Sequence, residues 1–180
     1  RTPIDFEVDY KQTLGTYWSY KTKKWDNNLG LYGQFGQSND KKVNAYYVGA
    51  NVAYAFTQKF KGGLGYEFLS GKDHGDISSD YKSFTPLFGT NHGFNGFMDY
   101  FYVGNHQNDV GLQDAFLKLN YSSNKWQFTF MPHVFSAPNT VLDASDNKMD
   151  SYLGTELDFM TTYTIQKDIV ASAGYSQMFA

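Results

Sequence analysis

The residues best suited to chemistry are a histidine and three carboxylates that strand alternation places on one face. His133 lies in the run 126–135, Asp114 in the run before it, and Glu156 and Asp158 in the run after it. An imidazole beside a carboxylate that orients it is the arrangement that nucleophilic enzymes use. The alternation places no serine beside this group as a nucleophile, and polar walls are ordinary in barrel lumens. The pattern therefore favours a protein that is not an enzyme.

A second group of titratable residues lies in the long segment between two strand-like runs. Its spacing matches no standard zinc or calcium ligand pattern, so solvated loop acids are the favoured interpretation and a loop calcium site is the alternative. We expect no metal and no other cofactor. The group comprises His74, His92, His106, Asp73, Asp76, Asp80, Asp99 and Asp109.

The composition excludes several classes of protein. The chain has 180 residues, enough for one domain, and 19% of them are aromatic, more than a globular core needs. No run approaches the ~18 apolar residues of a membrane helix, and the mean hydropathy is −0.52. A transmembrane β-barrel is compatible with this value because every second strand residue faces a polar lumen.

Charge and cysteine content narrow the function further. Cysteine is absent, which excludes thiolate metal sites, thiol nucleophiles and disulfides. The net charge is −3, and Arg1 is the single arginine among 15 basic residues. Because the lysines are scattered over turns, we expect no nucleic-acid partner.

Alternation with a period of two predicts the strands. They are expected over 13–22, 29–37, 43–56, 62–70, 109–121, 126–135, 151–164 and 169–180, with an uncertain edge or loop-borne strand over 1–11. A polar turn around Trp25 is predicted over 23–28. The even face of 43–56 carries Tyr46, Val48, Val52 and Tyr54, which indicates contact with lipid.

The predicted connections differ in length in a way that is typical of outer-membrane barrels. They are short at 57–61, 122–125 and 165–168, and longer at 38–42, 72–108 and 137–150. The fold class predicted is therefore all-β, an antiparallel transmembrane β-barrel of the porin type, with residues 1–180 in one domain and an external loop at about 72–108. Since unpaired strand edges are costly in lipid, the chain is expected to be part of a larger barrel. A soluble β-sandwich or lipocalin-like barrel is the alternative.

Hairpin register and strand-end aromatics complete the prediction. If like faces of neighbouring strands lie together, Tyr54 pairs with Leu64 and Asn51 lies opposite Glu67 in the first hairpin. In the second hairpin, Asp114 is expected to lie directly across from His133. Aromatic residues near strand ends are expected to form interfacial girdles: Trp25, Tyr54, Phe56, Tyr121, Trp126 and Tyr163.

Residues on the inner face are the candidates for lining a lumen. They are Asn51, Glu67, Asp114, Lys118, His133, Glu156 and Asp158. The acids outnumber Lys118, the single clear inner lysine, so we expect a preference for neutral or cationic solutes over polyanions.

The segment from Phe84 to Gly104 is rich in aromatics without a fixed period. Exposing all of these rings to water would be unfavourable, so we expect the segment to fold inward over the mouth of the barrel. The candidates for a constriction there are Phe88, His92, Phe94, Phe97, Asp99 and Tyr100.

Four segments carry a resemblance to a known family. They are FTPLFGTNHGFNGFMDYFYVGNH at 84–106, GLQDAFLKLNY at 111–121, GLGYEFLSG at 63–71 and GYSQMFA at 174–180. Together they resemble the alginate-export-domain outer-membrane β-barrel proteins of Bacteroidota-type bacteria. The resemblance implies a location in the bacterial outer membrane, with lipid as a partner, and a role in passing polysaccharide or small polar solutes. What the resemblance implies for alginate exporters of this superfamily is an arginine-rich channel that passes a polyanion. This chain has Arg1 as its single arginine, so alginate itself is not the predicted solute.

Two functions follow from the sequence. The first is a non-catalytic outer-membrane channel or exporter-type barrel. The alternative is a structural or accessory barrel subunit that docks other outer-membrane proteins through its loops.

Overall fold

A computed structural model describes residues 9–38, 40–86, 95–101 and 109–180. These residues form one antiparallel sheet in which each strand pairs with the next along the chain. The strands are β1 (Lys11–Lys21), β2 (Trp25–Ser38), β3 (Lys41–Ala55), β4 (Phe60–Leu69), β5 (Leu112–Ser123), β6 (Trp126–Ser136), β7 (Tyr152–Gln166) and β8 (Ile169–Phe179). Within the described residues, no helix is long and apolar enough to cross a membrane.

The all-β, antiparallel prediction is confirmed, and each of the eight predicted runs overlaps one strand. The sheet is not closed, because no pairing joins β1 to β8 among the described residues. Residues 1–8 of the uncertain run at 1–11 lie outside the described residues, and of residues 9–11 only Lys11 belongs to a strand.

Two predicted connections were too long. The turn predicted over 23–28 ends at Lys24, because the Thr22 hydroxyl accepts hydrogen bonds from the backbone N–H groups of Lys24 and Trp25 at 3.2 and 2.9 Å. Residues 26–28 therefore belong to β2. The connection predicted over 38–42 is also shorter, because β2 ends at Ser38 and β3 begins at Lys41, with Asp40 at a positive φ of 60°. Connections at the two ends of the sheet consequently differ in length only from β4 onward.

Both predicted hairpin registers are wrong by two residues. Tyr54 pairs with Gly62, and Glu67 lies opposite Gly49. His133 pairs with Phe116, so Asp114 is its diagonal neighbour. The reason is a turn tighter than predicted in both hairpins: Asn124, at a φ of 53°, allows a two-residue turn between β5 and β6. A shift of two residues preserves the faces, so the assignment of side chains to faces is unaffected.

The two faces of the sheet differ in composition. The outer face, defined as the face that carries Leu64 and Tyr66, has large exposed apolar side chains in every strand. One row of successive partners on it runs through Trp18, Leu29, Ala50, Tyr66, Ala115, Val134, Thr155 and Phe179. The inner face, defined as the face that carries Asp114 and His133, holds the buried polar side chains of the strands.

A hydrophobic core lies on the inner face at the end of the sheet where residues 70–111 connect β4 to β5. Ala45, Leu69, Leu112 and Phe135 come from four strands, and Phe84 comes from the long connection. Phe84 is only 5% exposed, and its backbone N–H donates to Ser70 O at 3.0 Å. Part of the long connection is therefore packed against the sheet.

Candidate functional site

Four neighbouring strands bring five titratable side chains together on the inner face. Glu67 lies two residues before the end of β4, and Asp114 lies two residues after the start of β5. Register places Glu67 opposite Asp114 and His133 opposite Glu156. Asp158 follows two residues after Glu156 on the same face. We call these five residues the acid–histidine cluster, and it lies at the long-loop end of the sheet.

His133 is held between two carboxylates. Its Nδ1 lies 2.9 Å from both Asp114 carboxylate oxygens, and its Nε2 lies 3.7 Å from Asp158 Oδ2. The side chains of all three residues are at most 1% exposed. Phe116 stacks on the imidazole with 5.1 Å between ring centroids. Because both ring nitrogens face carboxylates, neither is directed at a nucleophile, as a catalytic base would be.

The loop segment 95–101 closes over the cluster through hydrogen bonds. The Asn95 side-chain amide donates to Glu67 Oε2 at 3.2 Å and to Asp114 Oδ2 at 3.3 Å. The backbone N–H of Phe97 donates to Asp158 Oδ2 at 3.2 Å. The backbone N–H of Met98 donates to Glu156 Oε1 at 2.9 Å.

Gly96 makes this close approach possible. Its φ is +82°, a conformation that side-chain-bearing residues rarely adopt. A Cβ at this position would lie 2.5 Å from the Glu156 carboxyl carbon. Only glycine lets the backbone reach the carboxylates here, so we call the contacts of segment 95–98 with the cluster the loop latch.

Aromatic packing supports the loop latch. The ring of Phe101 lies 4.6 Å from that of Phe135, which is fully buried in β6. Tyr100 contacts Phe101 edge to face at 5.3 Å but remains 63% exposed. Asp99 has a positive φ of 54°. In the described part of the loop, Asn95 and Phe101 therefore face the sheet while Tyr100 faces away from it.

The remaining constriction and lumen candidates divide into three groups. Phe88, His92 and Phe94 lie outside the described residues. Phe97 is half-buried at the latch. Asn51 and Lys118 lie outside the acid–histidine cluster: Lys118 is exposed, and Asn51 lines a cavity nearer the short turns.

The prediction of a single inner lysine is wrong. Lys61 Nζ lies 2.7 Å from Asp26 Oδ2, and Lys21 Nζ lies 3.5 Å from the same oxygen. Asp26 was missed because it fell in the predicted turn over 23–28, whereas it is the second residue of β2. The inner acids are concentrated at the loop end, and these lysines lie at the opposite end.

Several polar atoms in and over the acid–histidine cluster are buried without a hydrogen-bond partner. They are Asn95 Oδ1, His133 Nε2, Glu156 Oε2 and Asp158 Oδ1. Even so, no three His, Asp or Glu side chains of the described residues are arranged to hold a metal ion. What the geometry provides is acceptor groups for backbone N–H donors of the loop and a concentration of negative charge beside one imidazole.

The titratable residues of the long connection form a separate group that is partly exposed. Lys82 Nζ donates to Asp76 Oδ2 at 2.7 Å and holds the pKa of that carboxyl well below its usual range. Asp73 accepts from the backbone N–H of Thr140 at 2.6 Å, which also lowers the pKa of its carboxyl. His74 Nε2 lies 3.9 Å from Asp109 Oδ1. His92 and His106 lie outside the described residues.

The strand-end aromatics pack into a row at the short-turn end of the sheet. Trp25 lies 4.7 Å from Tyr54, and Trp126 lies 4.6 Å from Tyr163 between ring centroids. Contacts of 5.3 to 6.4 Å extend the row within and between strands, through Tyr54, Phe56, Phe60, Tyr121, Phe128 and Trp126. At the other end of the outer face, Tyr46 stacks on Phe68 at 5.4 Å.

Sequence reasoning could not identify Asn95 or the backbone donors of the latch. A strand period assigns faces only within strands, and the latch is formed by a loop. The one signal for the latch in the sequence is Gly96, which lies between Asn95 and Phe97, two residues that donate hydrogen bonds to carboxylates.

Neither protein-family models, nor curated proteins, nor solved structures include a match to this chain.

Proposed function

We propose that this chain forms part of an outer-membrane β-barrel channel that passes polar solutes along its inner face without a catalytic step. The observation that carries the proposal is the exposed apolar face that continues across all eight strands. A water-soluble protein rarely exposes a contiguous apolar area of this kind, whereas lipid is a favourable solvent for it.

The height of the apolar face supports lipid as its partner. On β3, Tyr54 lies in the short-turn row, and Tyr46, which stacks on Phe68 at the other end of the outer face, is eight residues away. At a rise of ~3.3 Å per residue and a tilt of ~40°, this separation spans about 20 Å of membrane, close to the ~25 Å apolar band of outer-membrane barrels. Lysines beside the short-turn row, with Lys24 Nζ and Lys125 Nζ each 5.9 Å from a tyrosine ring centroid, suit the membrane interface.

A barrel in lipid must pair both edges of its sheet, because unpaired backbone groups there cost several kcal/mol each. The proposal therefore requires further strands beside β1 and β8. The resemblance to the alginate-export-domain proteins favours their coming from a larger single-chain barrel in a bacterial outer membrane.

The loop latch supports an internal constriction formed by segment 95–101. Its backbone N–H groups donate to carboxylates of β7, and Phe101 packs on β6. A segment fixed in this way narrows the passage beside the acid–histidine cluster. The same carboxylates disfavour polyanions, so neutral and cationic solutes are the expected cargo.

Planar-bilayer recording of the full-length protein tests the proposal. We expect discrete conductance steps, with reversal potentials in a salt gradient that show a weak preference for cations. Gly96→Ala, which opposes the loop latch, should raise the single-channel conductance. Absence of conductance from protein that is folded and inserted in vesicles would reject the channel.

An accessory barrel that docks partners is the second candidate. Apolar side chains that are exposed in the connections favour it, since Ile77 is fully exposed and Met149 is 52% exposed. Affinity capture distinguishes the two: Ile77→Ser and Met149→Ser should release a partner from an accessory barrel and leave the conductance of a channel unchanged.

A further inference from the structure

A cavity on the inner face is lined by aromatic rings and amides, and it shares Glu67 with the acid–histidine cluster. It has a volume of about 320 Å³, at the lower end of the range for small-molecule sites. Its main lining side chains are Tyr17, Tyr32, Tyr47, Phe116, Asn28 and Asn51. The cavity spans β1 to β5, and its end at Glu67 lies beside the loop latch, where Asn95 donates to that carboxylate.

Glycines shape this cavity by letting aromatic rings lie flat on the sheet. The Tyr32 ring covers Gly15, its partner on β1, and the Phe116 ring covers Gly65, its partner on β4. A Cβ at either glycine would overlap the ring. The rings therefore present their faces, rather than their edges, to the space above the sheet.

Polar groups lie between the rings. Asn28 pairs with Asn51 across β2 and β3 on the inner face, and both are half-buried. The Glu67 carboxylate also lines the cavity. Each amide offers donors and acceptors, and the carboxylate accepts only.

We infer that this cavity is a binding subsite for one or two units of a neutral saccharide. A pyranose ring has an apolar face of C–H groups, which packs on an aromatic face, and a rim of hydroxyls, which both donate and accept hydrogen bonds. Tyr17 and Tyr32 supply faces, and Asn28 and Asn51 supply the matching amides. Glu67 and the neighbouring Asp114 make the site unfavourable for a uronate. The inference rests on the proposed function, because it takes the inner face as the lumen of the channel.

The test combines calorimetry in detergent with current recording in planar bilayers, using the full-length protein. Maltohexaose and cellohexaose are the neutral probes, and hexagalacturonate is the anionic one. We expect saturable binding and current interruptions with at least one neutral probe and neither effect with hexagalacturonate. Binding of hexagalacturonate as tight as that of the neutral probes would overturn the inference.

Two matched substitutions locate the site. Tyr17 and Tyr20 both lie on β1 and are both 60% exposed, but on opposite faces. Tyr17→Ala should weaken saccharide binding about tenfold, Tyr17→Phe should retain it, and Tyr20→Ala should leave it unchanged. Equal effects of Tyr17→Ala and Tyr20→Ala would contradict the subsite.

The two proposals fail in different ways. Conductance without any effect of either neutral probe rejects the subsite and leaves the channel. Saccharide binding in detergent without conductance in bilayers rejects the channel. The subsite is then supported only by the effects of the Tyr17 substitutions on binding in detergent.

Discussion

The outer and inner faces of this sheet are built from the same eight strands but satisfy opposite requirements. The outer face exposes Leu64, at 67%, and rows of aromatic rings, with lysines only beside the turns. The inner face buries Asp114, His133 and Glu156 at 1% exposure or less and connects carboxylates to loop N–H donors. The difference indicates that the inner side chains depend on one another for stability, whereas the outer ones depend on the solvent that surrounds them.

The largest expected effect comes from removing the imidazole of the acid–histidine cluster. His133→Leu leaves the buried carboxylates of Asp114 and Asp158 without the ring that lies between them. Removing a buried hydrogen-bond partner costs about 1–3 kcal/mol for each group left unsatisfied, and more where that group is charged. We expect a loss of this size in the free energy of unfolding, measured by urea denaturation in lipid vesicles.

His74→Leu is the matched control, because the His74 side chain is 41% exposed in the long connection. It accepts one hydrogen bond, from the Leu142 backbone N–H at 3.1 Å. Its loss should change the free energy of unfolding by less than about 1 kcal/mol. Similar effects of the two substitutions would show that the cluster is not an interdependent unit.

A charge introduced on the outer face tests whether that face contacts lipid. Leu64→Arg places a cation midway between Phe60 and Phe68 on β4. Contact with lipid there would lower the free energy of unfolding by about 2–4 kcal/mol. Met160→Arg is the control, because Met160 pairs with Thr129 on the inner face and is 38% exposed. Reconstitution yield and urea midpoint in vesicles measure both. If Leu64→Arg is as well tolerated as Met160→Arg, the outer face does not contact lipid.

Gly96→Ala tests whether the loop latch holds segment 95–98 against the inner face. The positive φ and the nearby Glu156 carboxyl both oppose a methyl group, so we expect a cost of about 1–2 kcal/mol. Hydrogen exchange of Phe97 and Met98 should accelerate, because these amides donate to the cluster. Gly75→Ala is the control, since its nearest neighbour would be Leu142 at 3.9 Å. Unchanged exchange in Gly96→Ala would mean that the latch does not hold the segment.

The smallest effect is expected from a partly exposed ion pair in the long connection. Lys82 lowers the pKa of the Asp76 carboxyl, so the folded state favours the ionised form. This contribution is fully present above the ordinary carboxyl pKa of about 3.9 and is lost as the pH falls through the lowered value. Asp76→Asn should therefore lower the Tm slightly at about pH 7 and by less at about pH 3. An equal reduction at both pH values would exclude the Lys82 contact as its cause.

The sequence predicted the strands and their faces because a period of two is strong in every run. It could not set the hairpin registers, since a shift of two residues keeps Glu67 and Asp114 on the inner face. The turns decided these registers, through Asn124 at a positive φ in one hairpin. Asp26 was missed for the same reason, because the Thr22 turn is shorter than its polar sequence indicates.

The site was predictable only in part. Asp114, His133, Glu156 and Asp158 come together as the face assignment predicts, although Asp114 is a diagonal rather than a direct neighbour of His133. Asn95 and the backbone donors of 97 and 98 have no periodic signal, because a loop follows no fixed period. The cavity beside Tyr17 was also missed, since its shape depends on rings that lie over glycines of neighbouring strands.

Single-cysteine scanning of β4 by spin labelling tests the central claim most directly. These 180 residues contain no cysteine, so a cysteine introduced at 61, 62, 64, 66, 67 or 68 adds one labelled site to the reconstituted protein. We predict that labels at 62, 64, 66 and 68 are relaxed by lipid-soluble oxygen, and that labels at 61 and 67 are relaxed by a water-soluble nickel complex where the channel admits it. Even positions that are as accessible to the nickel complex as to oxygen would contradict a lipid-facing outer surface.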